Sequence, residues 1–269
     1  MLISDEELAV TAARAGAAVV RAMYGASMAR FGKSAGDFAT AADIEAEKAV
    51  IDVIRTARPD DAVTGEESGR TGSDGADRMW LVDPLCGTLN YAARNMLVAV
   101  NVALRVGSGI TAAASADPFS GEVFWTDGVH AYARRDGDDS DDERLVPSPD
   151  SRLVDVNLDP PFPNAPGFLA ARLLADPGFV ERFRPRVVST TLAVAWVAAG
   201  RRAAYVTDGH LQDSVHFASG IALCQAAGCV VTGIRGQPLH TGAGGLVVAA
   251  DHETHAALLA LIGNMARLH

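Results

Sequence analysis

The chain has 269 residues, 49% of them apolar and 21% charged, with a formal net charge of −10. That length suffices for one large domain or two closely joined halves, and the composition excludes a disordered chain. The acidic balance argues against a non-specific nucleic-acid binder, although bound metal ions could still draw anionic substrates.

Leu8, Ala12, Ala15, Val19 and Met23 recur at helical spacing, which predicts an amphipathic helix over residues 5–24 that stops at Gly25. A second helix is expected from Thr40 to about Arg58, opened by the capping-box pattern Thr40-Ala41-Ala42-Asp43. Its inner face takes Ile44, Ile51 and Ile54, and Pro59 breaks it. Ala62–Thr64 and Met79–Val82 read as strands, with the glycine-rich segment Gly69–Gly75 as an exposed loop between them. Val98–Val106, Gly109–Asp117 and Glu122–Trp125 read as successive strands of one sheet, the last hairpin ending near Tyr132.

The charge run Arg134–Arg144 reads as a solvated loop and marks a boundary between an N-terminal half, 1–145, and a C-terminal half, 146–269. Asp159–Gly167 is proline-rich and irregular. Leu192–Gly200 reads as helix, Ala203–Thr207 as strand and Phe217–Ala227 as a helix stopped by Gly228. Cys229–Thr232 and Gly245–Ala250 read as strands and His252–Leu268 as the last helix. Helices and strands interleave irregularly, which implies a layered α/β architecture with mixed sheets. The longest apolar stretch, Leu192–Ala199, is too short to span a bilayer. The acidic opening MLISDEEL does not read as an export signal, and three cysteines, an odd count, do not make a disulfide framework. A cytoplasmic protein is the natural expectation.

Three acidic stations stand out: Asp43 in KSAGDFATAAD, Glu66 in GEESG and Asp83 in WLVDPLCGT. Singly, each has a plain explanation as a helix cap, a turn acid or a strand end. In order, over about fifty residues, they resemble the inositol monophosphatase family of metal-dependent, lithium-sensitive-type phosphatases. The resemblance continues through VAVNVALRVGS, SGEVFWTDGVHAYA, VSTTLAVAWVAAGRRAAYV and SVHFASGIALCQAAGCVVT to GGLVVAA, and so spans nearly the whole chain.

It implies a five-layer α-β-α-β-α sandwich, usually dimeric, with the metal motifs in the first half and a site completed by the second. It also implies small phosphate monoesters as substrates, while the acidic balance and the short apolar stretches lead to the expectation of no nucleic-acid or membrane partner. The cofactor would be Mg²⁺, with Mn²⁺ or Zn²⁺ as alternatives. By position, Glu66, Asp83 and the Leu85 carbonyl would hold a first metal, a set of hard oxygen donors suited to Mg²⁺. Thr88 would help Glu66 orient the attacking water, with Asp43 behind it. Gly87 and Thr88 would offer N–H groups to phosphate. Lys33 matches a family lysine that could help hold an anion, and Ser189, Thr190 and Thr191 match a segment lining the substrate pocket.

The family pattern breaks at the second metal. Its motif reads DPxDGT, and Cys86 stands at the second acid. A further family aspartate, counted back from Ala227-Gly228-Cys229, falls on His216, with Asp213 in reserve if the loop shifts. Four readings compete. The second site is lost and one metal serves; the site has changed metal, since thiolate, imidazole and carboxylate suit Zn²⁺ better than Mg²⁺; Cys86 is a nucleophile with a lowered pKa and His216 as its base; or the fold has been kept for binding without hydrolysis. Thr207 stands at the nearest position to a family acid that grips inositol. Inositol phosphate is therefore one candidate beside sugar phosphates, histidinol phosphate and 3′-phosphonucleotides. Cys224 and Cys229 read as core, Trp125 and Trp196 as packing, and His210, His240, His252, His255 and His269 as surface residues.

Overall fold

The computed structural model describes residues 3–26, 30–34, 37–73, 75–135, 142–158 and 169–266. The chain divides into two compact units: Met1–Arg144 with Thr190–Leu192 and Val215–Leu223, and the remainder.

In the first unit, α1 (Asp5–Met23) carries three acids in its opening turn and α2 (Ala41–Ala57) has the full capping box between Thr40 and Asp43. A hairpin of β1 (Arg30–Ser34) and β2 (Asp37–Thr40) separates them. There follow β3 (Ala62–Gly65), β4 (Gly69–Thr71), β5 (Arg78–Cys86), the short α3 (Thr88–Ala92) and β6 (Ala99–Val106). Then come β7 (Gly109–Ala116), β8 (Glu122–Thr126), β9 (Ala131–Arg135) and β10 (Glu143–Arg144). Eight strands form one sheet in the order β10-β9-β8-β7-β6-β5-β3-β4, with β3 parallel to β5 and the other pairs antiparallel.

Side chains alternate across a strand. Trp80 and Val82 of β5, Val100, Val102 and Leu104 of β6, and Ala112 and Ala114 of β7 therefore point to one face, where they form a core with α1 and α2. Small residues let α1 lie close: a Cβ on Gly16 would come within 2.8 Å of Val50 and 3.0 Å of Val100. Met79, Leu81, Ala103 and Ala113 point to the opposite face and pack with Val215, Ala218 and Ala222.

Trp80 is fully buried, and its indole N–H donates to Asp61 Oδ2 at 2.8 Å. Trp80→Ala is expected to cost about 3–5 kcal/mol of stability, as large-to-small changes in a packed core do. Urea unfolding followed by circular dichroism measures it, and a loss below about 1 kcal/mol would contradict this core assignment.

An ion-pair cluster ties the start of α1 to the sheet. Asp5 accepts from Arg58 at 2.9 Å and from Arg78 at 3.0 Å, and Arg78 also pairs with Asp61 at 2.9 Å. Burial alone would raise the Asp5 pKa, but the hydrogen bonds and charges of Arg78 and Arg58 hold it below the ordinary 3.8. A depressed carboxylate pKa stabilises the fold above its unfolded value, and that contribution is lost as pH falls through the folded value. Wild type should thus lose stability below about pH 4 more steeply than Asp5→Asn. Thermal melts between pH 5 and pH 3 test this, and parallel curves would refute it.

The second unit has β11 (Leu153–Val156), α4 (Leu169–Leu173), α5 (Pro177–Arg182) and β12 (Arg184–Val187). Then α6 (Leu192–Ala198), β13 (Ala204–Thr207), α7 (Ala218–Ala227), β14 (Val230–Thr232), β15 (Leu246–Ala249) and α8 (His252–Ala266) complete the chain, with the first residues of α6 and α7 counted in the first unit. Its five-stranded mixed sheet runs β12-β11-β13-β15-β14 over a core that includes Val154, Val206, Val247, Phe179 and Leu258. Among the described residues, no helix is long and apolar enough to cross a membrane.

Several expectations need correction. Ile44 is exposed, because it sits about 100° round the helix from Asp43, at the centre of the buried stripe. Gly69–Thr71 is not loop but pairs with β3. His255 is buried, and its imidazole meets Thr232 Oγ1 at 2.8 Å. Cys224 is core, whereas Cys229 is only half-buried. Within the charge run, Arg134 is anchored to Glu7 and Asp142, each at 2.6 Å, while residues 136–141 lie outside the described residues. So do all of Asp159–Gly167 and His269.

Candidate functional site

Parallel pairing sets Gly65 beside Val82, so the next residues, Glu66 and Asp83, leave the two strands at the same end. The Glu66 N–H donates to the Val82 carbonyl at 3.0 Å and fixes that alignment. Pro84 has no N–H for the ladder, and the β5–β6 register slips between Asp83 and Cys86. The chain turns tightly there. The Leu85 N–H donates to Asp83 Oδ1 at 3.1 Å, and Gly87, at φ 104°, supplies the left-handed residue that opens α3. This brings the Thr88 hydroxyl to 2.9 Å from Asp43 Oδ1 and 3.2 Å from the Leu85 carbonyl. Asp43 does two things at once. Its Oδ2 accepts the Thr40 N–H at 2.7 Å as helix cap, while Oδ1 takes Thr88. Burial raises its pKa from the ordinary 3.8, the hydrogen bonds of Thr40 and Thr88 oppose that, and the nearby Asp83 charge adds to it.

Asp83, Cys86 and His216 form a second group, their donor atoms all within 4.8 Å of one another. His216 lies in the turn before α7, where Val215 and Ala218 pack on the sheet face that carries Asp83. Its Nδ1 stands 2.8 Å from Asp83 Oδ2. Burial alone would lower the imidazole pKa, but the Asp83 carboxylate, the Cys86 thiol and Glu66 together lift it well above 6.5. The contact with Asp83 thus favours the protonated imidazole. Cys86 moves the other way to the activated thiol expected of a nucleophile. Burial and the Asp83 charge push it up to about 11, against weaker opposing pulls from His216 and the Thr191 N–H at 3.4 Å.

The donor chemistry distinguishes two sets of side chains and carbonyls. Glu66, Asp83 and the Leu85 carbonyl are hard oxygens that fit Mg²⁺. Asp83, Cys86 and His216 do not, because a thiolate and an imidazole are ligands for softer ions.

Two further groups were not anticipated from sequence. Asn101 shares the face of Asp83 by strand alternation, and its Nδ2 donates to Asp83 Oδ2 at 3.4 Å and to Thr191 Oγ1 at 2.8 Å. Its Oδ1 accepts from Ser115 at 2.6 Å and Ser219 at 3.0 Å, so a buried polar network holds the carboxylate from behind. The lone asparagine in the apolar run VAVNVALRV was the available signal. Glu47, one helical turn beyond Asp43, is buried, and its carboxylate accepts the N–H groups of Glu67 and Ser68, both at 2.8 Å.

Of the other expected residues, Thr190 is buried with its hydroxyl accepting the Leu192 N–H, and Thr191 is the neighbour that reaches Cys86. Ser189 belongs to the second unit, as does Asp213, which occupies an exposed turn at φ 53°. The Lys33 backbone lies in β1, and its side chain is outside the described residues.

A sequence model described as the inositol monophosphatase family matches residues 4–266. The chain is 31% identical over 236 residues to an inositol-1-monophosphatase of Caulobacter vibrioides, covering 84% of this chain and 88% of that one. It is also 31% identical over 211 residues to the Nus factor SuhB of Escherichia coli K12, covering 76% and 74% respectively. Among solved structures, the extragenic suppressor protein SuhB of Bartonella henselae aligns with a TM-score of 0.80 at 24% identity, over 95% of this chain and 97% of that one. That likeness establishes the α/β sandwich architecture.

Proposed function

Since the chain belongs to the inositol monophosphatase family, whose members are in general metal-dependent phosphatases, we propose that it hydrolyses a small phosphate monoester. Inositol and sugar phosphates are the leading candidates, and the second-metal position is altered. The observation that carries this reading is the Thr88–Asp43 hydrogen bond of 2.9 Å at the strand ends that deliver Glu66 and Asp83.

Glu66, Asp83 and the Leu85 carbonyl would hold a metal of the Mg²⁺ class. Once bound, such an ion supplies charge that polarises a phosphoryl oxygen and acidifies a bound water. The protein's own groups do the rest. The Thr88 hydroxyl spends its proton on Asp43, so its lone pairs are left to accept from a water and aim that water's oxygen. The Glu66 carboxylate takes the second hydrogen of the same water. The Gly87 and Thr88 N–H groups, with Lys33, Ser189 and Thr190, are assigned to phosphate and substrate. A homodimer in the cytoplasm completes the proposal.

The test is phosphate release from metal-stripped protein across inositol, sugar and nucleotide monophosphates, with Mg²⁺, Mn²⁺ or Zn²⁺ restored. Turnover with at least one metal is expected. No turnover from protein shown to be folded would replace this reading with binding of a phosphorylated small molecule without hydrolysis.

A further inference from the structure

We infer that Asp83, Cys86 and His216 form a binding site for a borderline-soft divalent transition metal, of the Zn²⁺ or Co²⁺ class, with one coordination position left open. One carboxylate oxygen, one thiol sulfur and one imidazole converge within 4.8 Å. Tetrahedral zinc with bonds of about 2.0 Å to nitrogen and oxygen and about 2.3 Å to sulfur sets neighbouring donors about 3.5 Å apart. The Asp83–His216 pair, now at 2.8 Å, has to open a little and the wider separations to close by little more than an ångström.

The donors are also oriented from outside. Asp83 Oδ1 is held by the Leu85 N–H, which leaves Oδ2 as the oxygen facing the group. Asn101 braces that oxygen and the Thr191 N–H faces the sulfur. Asp83 is fully buried while the His216 side chain is 42% exposed, so the group is walled on one side and reachable on the other. Three protein donors with an accessible flank describe a metal centre that keeps a fourth position for water or substrate. A coordinating thiol is deprotonated by the ion itself, so the high pKa of the metal-free thiol is no obstacle.

This deepens the phosphatase reading by naming the metal class of its second position, and rests on it only through the shared carboxylate of Asp83. The experiment therefore reads the metal–sulfur bond and not turnover. Co²⁺ is titrated into the metal-stripped full-length protein while thiolate-to-cobalt charge-transfer absorption is recorded in the near ultraviolet. A band that saturates at one equivalent is expected; it should vanish in Cys86→Ser, persist in Cys224→Ser and Cys229→Ser, and be bleached by Zn²⁺ but not by millimolar Mg²⁺. Loss of an outer partner alone costs about 10–100-fold in metal affinity, so His216→Ala should weaken Zn²⁺ binding by at least about 100-fold.

Should Cys86→Ser fail to fold, mass spectrometry of wild-type protein decides the matter, since Zn²⁺ should protect Cys86 from alkylation. Cobalt bound without the band, a band that survives Cys86→Ser, Mg²⁺ displacing cobalt, or no protection would each overturn the inference. A protein that binds cobalt in this way yet releases no phosphate would sink the phosphatase reading alone.

Discussion

Asp83→Asn is expected to lower metal-dependent phosphate release by at least about 1,000-fold, some 4 kcal/mol of transition-state stabilisation, while leaving the fold in place. The carboxylate stands where the two proposed metal positions meet, and the amide that replaces it keeps the shape but loses the charge both depend on. Its structural duties are lighter. Oδ1 accepts the Leu85 N–H at 3.1 Å, which an asparagine oxygen can also do. At the other atom an amide NH₂ would face His216 comfortably, since the charge that favours its protonated form is gone, and the Asn101 NH₂, now 3.4 Å away, less so. That mismatch should cost no more than about 2 kcal/mol. The measurements are kcat/KM with each metal and the melting temperature in chelator. A variant that kept a tenth of its activity would move the chemistry away from Asp83. One that lost both activity and fold would make the residue structural.

Glu47→Ala should damage both stability and metal binding, although the residue touches neither metal nor substrate. Its carboxylate receives two charge-assisted hydrogen bonds from the Glu67 and Ser68 N–H groups, each worth about 1.5–3 kcal/mol. A loss of about 3–5 kcal/mol is expected by urea unfolding. Because those N–H groups follow Glu66 directly, metal affinity should fall by about tenfold or more as well. Glu47→Gln retains one acceptor and should fall between the two. The neighbouring Gly65→Ala should resemble Glu47→Ala, since a Cβ there would lie 2.5 Å from the carboxylate. Unchanged metal affinity in a destabilised Glu47→Ala would show that the turn holds Glu66 without this clamp.

The elements legible in the sequence were those whose cause is local. The Thr40–Asp43 capping box, the stop at Pro59, and the period-two runs from Met79 to Trp125 are written in neighbouring residues, and the structure places elements there. Pairing over long distance was not legible. Leu153–Val156 and Arg184–Val187 pair with one another as strands, but neither run has a pattern strong enough to announce it. In the site, Asp43, Glu66 and Asp83 stood out by residue type and order, as did Cys86. The spatial neighbours of Asp83 did not. Asn101, Ser115, Thr191 and Ser219 come from four separated segments, and only the sheet register and the packing of α7 make them one network. Ile44 failed for the opposite reason: its hydrophobicity suggested burial that its angular position on the helix does not allow.

The way the eight-stranded sheet ends bears on how copies of this protein can meet. Its outermost strands, among the described residues, are β10 with two residues, Glu143 and Arg144, both exposed and charged, and β4 with three residues around Arg70. Strands this short and this charged give an incoming backbone almost no ladder to extend. Polymerisation edge to edge is therefore blocked at both rims of this sheet, in the native unit and in any partly opened form that keeps it. A contact between copies built on this sheet would have to use side chains rather than its edge backbone, where point substitutions can dissolve it without touching a single strand.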